Sequence, residues 1–369
     1  MIKVLLLNYE YPPLGGGAGS ATAYLLKEYT RLPDLNVTLV TSSTGKYRQE
    51  QPAENITIHF LDISKHGSFH YQSTRDLLTY TWKAWRFCRH LAQQQAFDLA
   101  HAFFGVPCGL ISLMLGLPTI VSLRGSDVPF YSRRFRWMDK LFLKRLHGWV
   151  WRRADHVIAN SQGLRELALQ SFPKQAIDVI PNGVDTHLFY PAEDKTFDGT
   201  LKIFSAGRLI ERKGYDLLIK ALSGLENVTL TLAGEGQERT RLQALSQEHS
   251  VNVNFLGRVD HSDLPDYYRQ ADLFVLPSRN EGMPNAALEA MASGLPLILT
   301  DTGGVTELLK GNGLVISKNN VTALQQAIAR YCLQPDIISE EGSISLKIAQ
   351  VMAWQKVGQA YKNLYQKMI

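Results

Sequence analysis

Short apolar runs alternate with stretches of helical period along almost the whole chain. In the first half, strand-like runs fall at KVLLLNY (3–9), VTLVTS (37–42), ITIHFLD (56–62), DLAHAFF (98–104), TIVSLRG (119–125), HVIANS (156–161) and DVIPN (178–182). Helix-like stretches lie between most of them, at about 19–31, 72–95, 107–115, 135–153 and 162–170. Bounded apolar strands alternating with helices predict a parallel sheet covered on both faces. The pattern lapses over 186–200, THLFYPAEDKTFDGT, which reads as a linker. It restarts with strands at 202–207, 228–234, 253–257, 273–278, 295–301 and 313–317, and helices at about 214–223, 237–249, 262–270, 284–293 and 320–333. A final helical stretch, about 344–367, carries Trp354, Tyr361 and Tyr365 and is expected to pack across both domains. The predicted fold class is α/β, with two doubly wound domains over 1–185 and 201–349 facing across a cleft. Open sheets of this kind bind ligands beyond the carboxyl ends of their strands, so candidate chemistry belongs just after strands.

The totals fit this picture. The chain has 369 residues, 45% hydrophobic and 20% charged, as expected of an ordinary globular protein with two cores. It has no apolar run of membrane-spanning length, and MIKVLLLNYEYPP reads as a first strand rather than a leader. Cys88, Cys108 and Cys332 have no metal-ligand spacing and suit a reducing cytoplasm. The net charge of +5 is uneven: residues 1–185 hold 21 Lys and Arg against 14 Asp and Glu, about +7, while the remainder comes to about −2. A basic half suggests contact with an anionic surface or substrate.

The most informative stretch is RNEGMPNAALEAMASGLP at 279–296. Glu281 stands in the loop after a strand, and Pro284 suits the first position of a helix. The helix N-terminus then offers backbone N–H groups to an anion, and Glu289 follows one to two turns along. A carboxylate for hydroxyls, an anion site and a second carboxylate match the order sugar, diphosphate, ribose. A lone Glu289 would more simply be a solvated side chain, but its neighbours are apolar. In SAGRLIERKG, Arg208 and Lys213 follow another strand directly, a fork and a point charge suited to a diphosphate. In EYPPLGGGAGSATAYLL, Gly16 and Gly17 allow close backbone approach ahead of a helix. The third glycine of a dinucleotide fingerprint is missing and no acid ends the next strand, which disfavours a nicotinamide enzyme. In the first half, His101, Arg124 and Asp127 lie at strand ends, where they could meet an acceptor; His101 could equally be a core histidine, and Arg124 and Asp127 could pair with each other. Residues 131–153 set Arg133, Arg134, Arg136, Lys140, Lys144, Arg145, Arg152 and Arg153 against Asp139 alone, with interleaved aromatics. This suits either an anionic membrane surface or an amphipathic core helix, and no nucleic-acid module surrounds it.

Taken together, GGGAG, GRLIERKG, LAGEG, FLGRV and EGMPNAALEAMASGLP resemble the retaining family-4 glycosyltransferases of GT-B fold, most densely over 200–305. The resemblance implies two Rossmann-like domains, an N-terminal one for the acceptor and a C-terminal one for a UDP- or GDP-linked sugar. It implies a last helix, about 350–369, that crosses back to the first domain, and neither metal nor covalent cofactor. Carried over by motif, Glu281 would contact the donor sugar and Glu289 the ribose. Arg208 and Lys213 would hold the diphosphate. The backbone at Gly282, Met283 and Asn285 would serve sugar and phosphate. Arg258 and Val259 would lie against the base, and Gly16 and Gly17 would close over the phosphate. Many relatives have His-Gly where this chain has Arg124-Gly125; the Arg-Gly-x-Asp version resembles members acting on bacterial surface polysaccharides.

These residues imply a cytoplasmic enzyme, peripheral on a membrane if 131–153 binds lipid. It would move a hexose with retention onto a hydroxyl of a glycan or lipid-linked acceptor by front-face transfer, the leaving diphosphate helping to take the acceptor proton. Two rival readings share the fold: a sugar-nucleotide epimerase and a non-catalytic sugar-nucleotide-binding protein.

Overall fold

The computed structural model describes residues 1–65, 72–131, 136–193 and 195–369. The chain divides into two compact units, Met1–Asn182 with Trp354–Ile369, and Gly183–Ala353. The divisions fall at 182/183 and 353/354, whereas the pattern placed a linker at 186–200.

Among the described residues, the first unit holds an eight-stranded sheet. Its strands are β1 (Ile2–Leu7), β2 (Leu35–Ser43), β3 (Arg48–Ala53), β4 (Ile56–Asp62), β5 (Leu99–Phe103), β6 (Thr119–Leu123), β7 (His156–Ala159) and β8 (Asp178–Val179). They are ordered β3-β4-β2-β1-β5-β6-β7-β8. All pairings are parallel except β3 with β4. Val4 to Leu7 are fully buried, as a central strand covered on both faces requires. The pattern gave no sign of β3, because RQEQPA is polar and exposed along most of its length. An edge strand that buries neither face has no hydrophobic alternation to read, and its pairing with β4 is broken by a register shift between Glu50 and Ala53.

The second unit is a six-stranded, all-parallel sheet of β9 (Leu201–Ala206), β10 (Val228–Ala233), β11 (Val253–Gly257), β12 (Leu273–Leu276), β13 (Leu297–Thr300) and β14 (Gly313–Ile316). The order is β11-β10-β9-β12-β13-β14. Strand order therefore reverses between β9 and β12, with Ile203 beside Leu273 and Phe204 beside Phe274. In the first unit the reversal lies between β1 and β5. At such a switch point the two loops leave toward opposite faces and open a crevice between them.

The expected final helix is two helices, Asp336–Val351 and Trp354–Lys367, broken at Met352-Ala353. The first belongs to the second unit and the last to the first unit. There Trp354 stacks on Tyr24, with ring centroids 5.6 Å apart, and Tyr365 shares a 2.8 Å hydrogen bond with Tyr29. The helix expected over 107–115 opens with a wide turn, Gly105–Gly109, before Leu110–Met114, and the strand expected over 178–182 is only the pair Asp178–Val179.

Candidate functional site

The loops after β9 and β12 flank the switch point of the second unit. After β9 the chain runs through a short 3₁₀ turn, Glu211–Lys213, into the helix Tyr215–Leu222. Gly214 joins them with φ of +71°, and a Cβ there would lie 2.1 Å from the carbonyl oxygen of Pro277, in the loop after β12. Only glycine permits that approach. Gly207, with φ of +150°, leaves room for the Lys213 side chain, which a Cβ would meet at 3.2 Å.

The loop after β12 is tied at several places to the loop after β9 and the helix that follows it. The amide of Arg279 donates to the carbonyl of Arg212 at 2.7 Å. The Arg279 guanidinium makes a forked ion pair with Asp216, at 2.9 and 2.8 Å. Lys213 Nζ lies 2.7 Å from Glu281 Oε1, both side chains nearly buried, and Ser278 donates to the same oxygen at 2.9 Å. Burial works to raise the Glu281 carboxyl, but the charges of Lys213 and Arg212 and these hydrogen bonds outweigh it and hold the group below its ordinary value. Glu281 is thus an ionised, fixed acceptor at the mouth of the β12 loop.

The helix Asn285–Ala292 follows at once. Pro284 is its cap, with φ −76° and ψ 110°, rather than its first residue as the sequence suggested. Glu289, on this helix, is not a solvated side chain. Tyr268 donates to its Oε2 at 2.8 Å, and His261 Nε2 lies 3.2 Å from Oε1. Burial works to lower His261, yet its bond to Glu289 and the charges of Glu289 and Asp185 raise it above the ordinary histidine value. Sequence pattern gave no hint of Tyr268, His261 or Ser278, because each reaches its carboxylate through tertiary packing.

Most of the other expected donor residues belong to the second unit. Arg208 is exposed just after β9. Gly282 and Asn285 are half-buried, while the Met283 side chain is part of the core, so this position can offer a ligand its backbone alone. Arg258 is exposed after β11, and Val259 packs against the core. In the first unit, Gly16 and Gly17 are exposed and open the helix Gly17–Tyr29. Gly16 N donates to Glu10 Oε2 at 3.1 Å, and a Cβ on Gly16 would touch nothing within 4 Å, which leaves the space above this loop open.

Two of the three residues expected to meet an acceptor are buried. His101 is fully buried, with Nδ1 2.7 Å from the Tyr365 hydroxyl and Nε2 2.7 Å from the Ser122 hydroxyl. Burial, and then the nearby Arg124 charge, hold it well below its ordinary pKa, so it is a neutral core histidine with no polar atom left for an acceptor. Asp127 is also buried and accepts from the amides of Arg124, Gly125 and Gly105 at 2.9, 3.1 and 3.0 Å. Burial raises its pKa despite those bonds, and its work is to shape the loop after β6. Arg124 is half-buried; its guanidinium donates to Asn182 at 2.8 Å and lies 3.8 Å from the centre of the Phe103 ring.

In the basic segment, Arg133 and Arg134 lie outside the described residues, as does the Arg136 side chain. Of the rest, Trp137, Leu141 and Phe142 are at least half exposed, and Asp139 is buried, accepting from the Phe130 amide at 2.9 Å. Among the described residues, no helix is long and apolar enough to cross a membrane.

Two doubly wound units, with charged groups gathered after β9 and β12, have the GT-B architecture found in solved glycosyltransferases. The Glycosyltransferase Family 4 model matches residues 15–188 and the Glycosyl transferases group 1 model matches 189–341, so each half of the chain matches a glycosyltransferase family. The lipopolysaccharide core biosynthesis mannosyltransferase LpsB of Rhizobium meliloti is 33% identical over 218 residues, 51% of this chain and 59% of that protein. Among solved structures, sucrose-phosphate synthase of Thermosynechococcus elongatus has a TM-score of 0.86 at 22% identity, covering 100% of this chain and 99% of that one. HepE of Anabaena, solved in complex with UDP-glucose, has a TM-score of 0.75 at 19% identity and full coverage of both chains. At these identities the two structures show the shared fold.

Proposed function

We propose that this protein is a retaining hexosyltransferase. It moves a sugar from a UDP- or GDP-linked donor to a hydroxyl of a glycan or lipid-linked acceptor, in the assembly of a surface polysaccharide. The observation that carries the reading is the group at the β9–β12 switch point. A lysine and a glutamate are locked together 2.7 Å apart just ahead of a helix N-terminus, and a second glutamate is held on that helix by a buried tyrosine. Further support comes from the relatives: HepE binds UDP-glucose, and the Rhizobium protein is named for lipopolysaccharide core synthesis.

In this reading Lys213 and Arg208 neutralise the diphosphate as it leaves, aided by the positive end of the Asn285–Ala292 helix. Glu281 accepts from sugar hydroxyls and Glu289 from the ribose. The backbone at Gly282, Met283 and Asn285 meets sugar and phosphate, Arg258 and Val259 flank the base, and Gly16 and Gly17 approach the phosphate. The first unit takes the acceptor, with Arg124 contributing charge. The reaction needs no resident cofactor: the donor is a co-substrate, and its departing phosphate takes the proton of the attacking hydroxyl on the same face of the sugar. The exposed Trp137, Leu141 and Phe142, beside Lys140, rest on anionic lipid at the cytoplasmic face of a membrane.

The test is a panel of UDP- and GDP-sugars scored by melting temperature. A ligand that binds the folded state alone stabilises it by about 2.7 kcal/mol at a hundred times its Kd. The reading expects at least one nucleotide sugar to raise the melting point and to lose its nucleotide when a glycan acceptor is supplied, the anomeric configuration being kept. A flat panel would refute it.

A further inference from the structure

A second site lies in the first unit, remote in sequence from every residue assigned above. A pocket of about 580 Å³ opens between the C-terminal end of β4, the residue before β3 and the outer face of the helix Thr74–Gln94. That volume falls within the range of sites that bind small ligands. Two aromatic side chains in its wall are unusually exposed for their size, Tyr47 at 50% and Trp82 at 55%. Tyr47 is held in place, and Trp82 has a cation beside it. The Tyr47 hydroxyl is 3.0 Å from His59 Nδ1 and its ring packs 5.9 Å from that of Phe87, while the Arg86 guanidinium sits 5.7 Å from the centre of the Trp82 ring.

Lys83, Arg86 and His90 also line the pocket, against a single carboxylate, that of Asp62. Lys83 is tethered by a 2.6 Å bond from Nζ to the Asp62 carbonyl, so its charge stays at the wall. Flat aromatic faces beside a tethered lysine, an exposed arginine and a carboxylate fit a particular ligand. The apolar C–H face of a pyranose covers an indole or phenol ring, its hydroxyls donate to a carboxylate, and an acidic substituent meets Lys and Arg. A membrane surface fits less well, because Asp62 would face anionic headgroups and the aromatic rings line a concavity rather than project from a convex face.

We propose that this pocket binds an acidic sugar, one bearing a carboxylate or a phosphate, within the acceptor glycan. The proposal rests on the reading of the protein as a glycan-directed transferase. It adds a holding site away from the reacting hydroxyl, which would favour acceptors that already carry such a residue. Uronate and sugar phosphate present the same chemistry to the pocket, and direct binding separates them.

The experiment is calorimetric titration of the whole protein with tetragalacturonate, with mannose 6-phosphate and with uncharged maltotetraose, beside sedimentation with phosphatidylglycerol vesicles. At least one acidic probe should bind tenfold or more tighter than maltotetraose. Trp82→Ala should weaken that probe at least tenfold, and Arg86→Gln should abolish its advantage over maltotetraose, with melting temperatures kept as evidence of folding. Equal binding of all three sugars, acidic binding unmoved by both substitutions, or loss in Trp82→Ala confined to the vesicles would each overturn the proposal. The nucleotide-sugar melting panel reads the donor site separately. A flat panel with acidic-sugar binding intact would remove the transferase reading, and the reverse outcome would remove this one.

Discussion

The two units share an architecture and differ in what they do with polar groups at the ends of their strands. In the second unit, Lys213, Glu281 and Glu289 are bound to one another or to a tyrosine, yet remain at the rim of the switch point. In the first unit, polar groups within β5 and β6 themselves turn inward. His101, Ser122, Tyr361 and Tyr365 form a buried chain of hydrogen bonds that locks the last helix to the sheet. A polar residue that the pattern sets near the end of a strand is therefore no sign of a ligand by itself. What separates the cases is whether its partners exhaust it: both nitrogens of His101 are occupied, whereas Glu281 keeps a second oxygen outside its bonds to Lys213 and Ser278.

The contrast is broken most sharply at Lys213. Lys213→Ala should reduce turnover at least a hundredfold, as for loss of a preorganised charge donor. Because it strands Glu281, it should also cost about 3–5 kcal/mol of stability in a urea titration. Replacing the pair together, with Lys213→Met and Glu281→Leu, should recover most of that stability and none of the turnover. Recovery of both would show the pair to be structural. His101→Phe tests the opposite side. It leaves the Ser122 and Tyr365 hydroxyls short of a partner and should cost about 1–3 kcal/mol, with nucleotide affinity unchanged. A fall in affinity there would restore His101 to the site.

Glu289→Gln should weaken free-nucleotide binding about tenfold, or about 1.4 kcal/mol, while Glu281→Gln should alter sugar selectivity with little change for free nucleotide. Titration calorimetry of both variants would expose a reversal of the two roles. The smallest effect concerns pH. The pKa of His261 is raised in the folded protein, so its pairing with Glu289 contributes stability that is full below the ordinary histidine value and is lost as pH rises through the raised one. Melting temperatures of wild type and His261→Gln should converge from pH 6 to 8. Glu281 has the opposite sign: its depressed pKa contributes stability above the ordinary 4.5, lost on acidification through the lower value.

The alternation of apolar runs and helices determined the fold class, since a covered parallel strand must be apolar on both faces whatever it packs against. The sequence also determined which charged residues stand after strands, because loop position follows from the same pattern. It failed at β3, whose polar RQEQPA carries no period, and at the break before Trp354. Tertiary structure alone decided that Lys213 reaches Glu281 across 68 positions, that Tyr268 holds Glu289, and that His101 meets Tyr365 from the far end of the chain. The physical reason is common to all three. A hydrogen bond or ion pair is fixed by where the backbone brings two side chains in space, and nothing local to either residue records its partner.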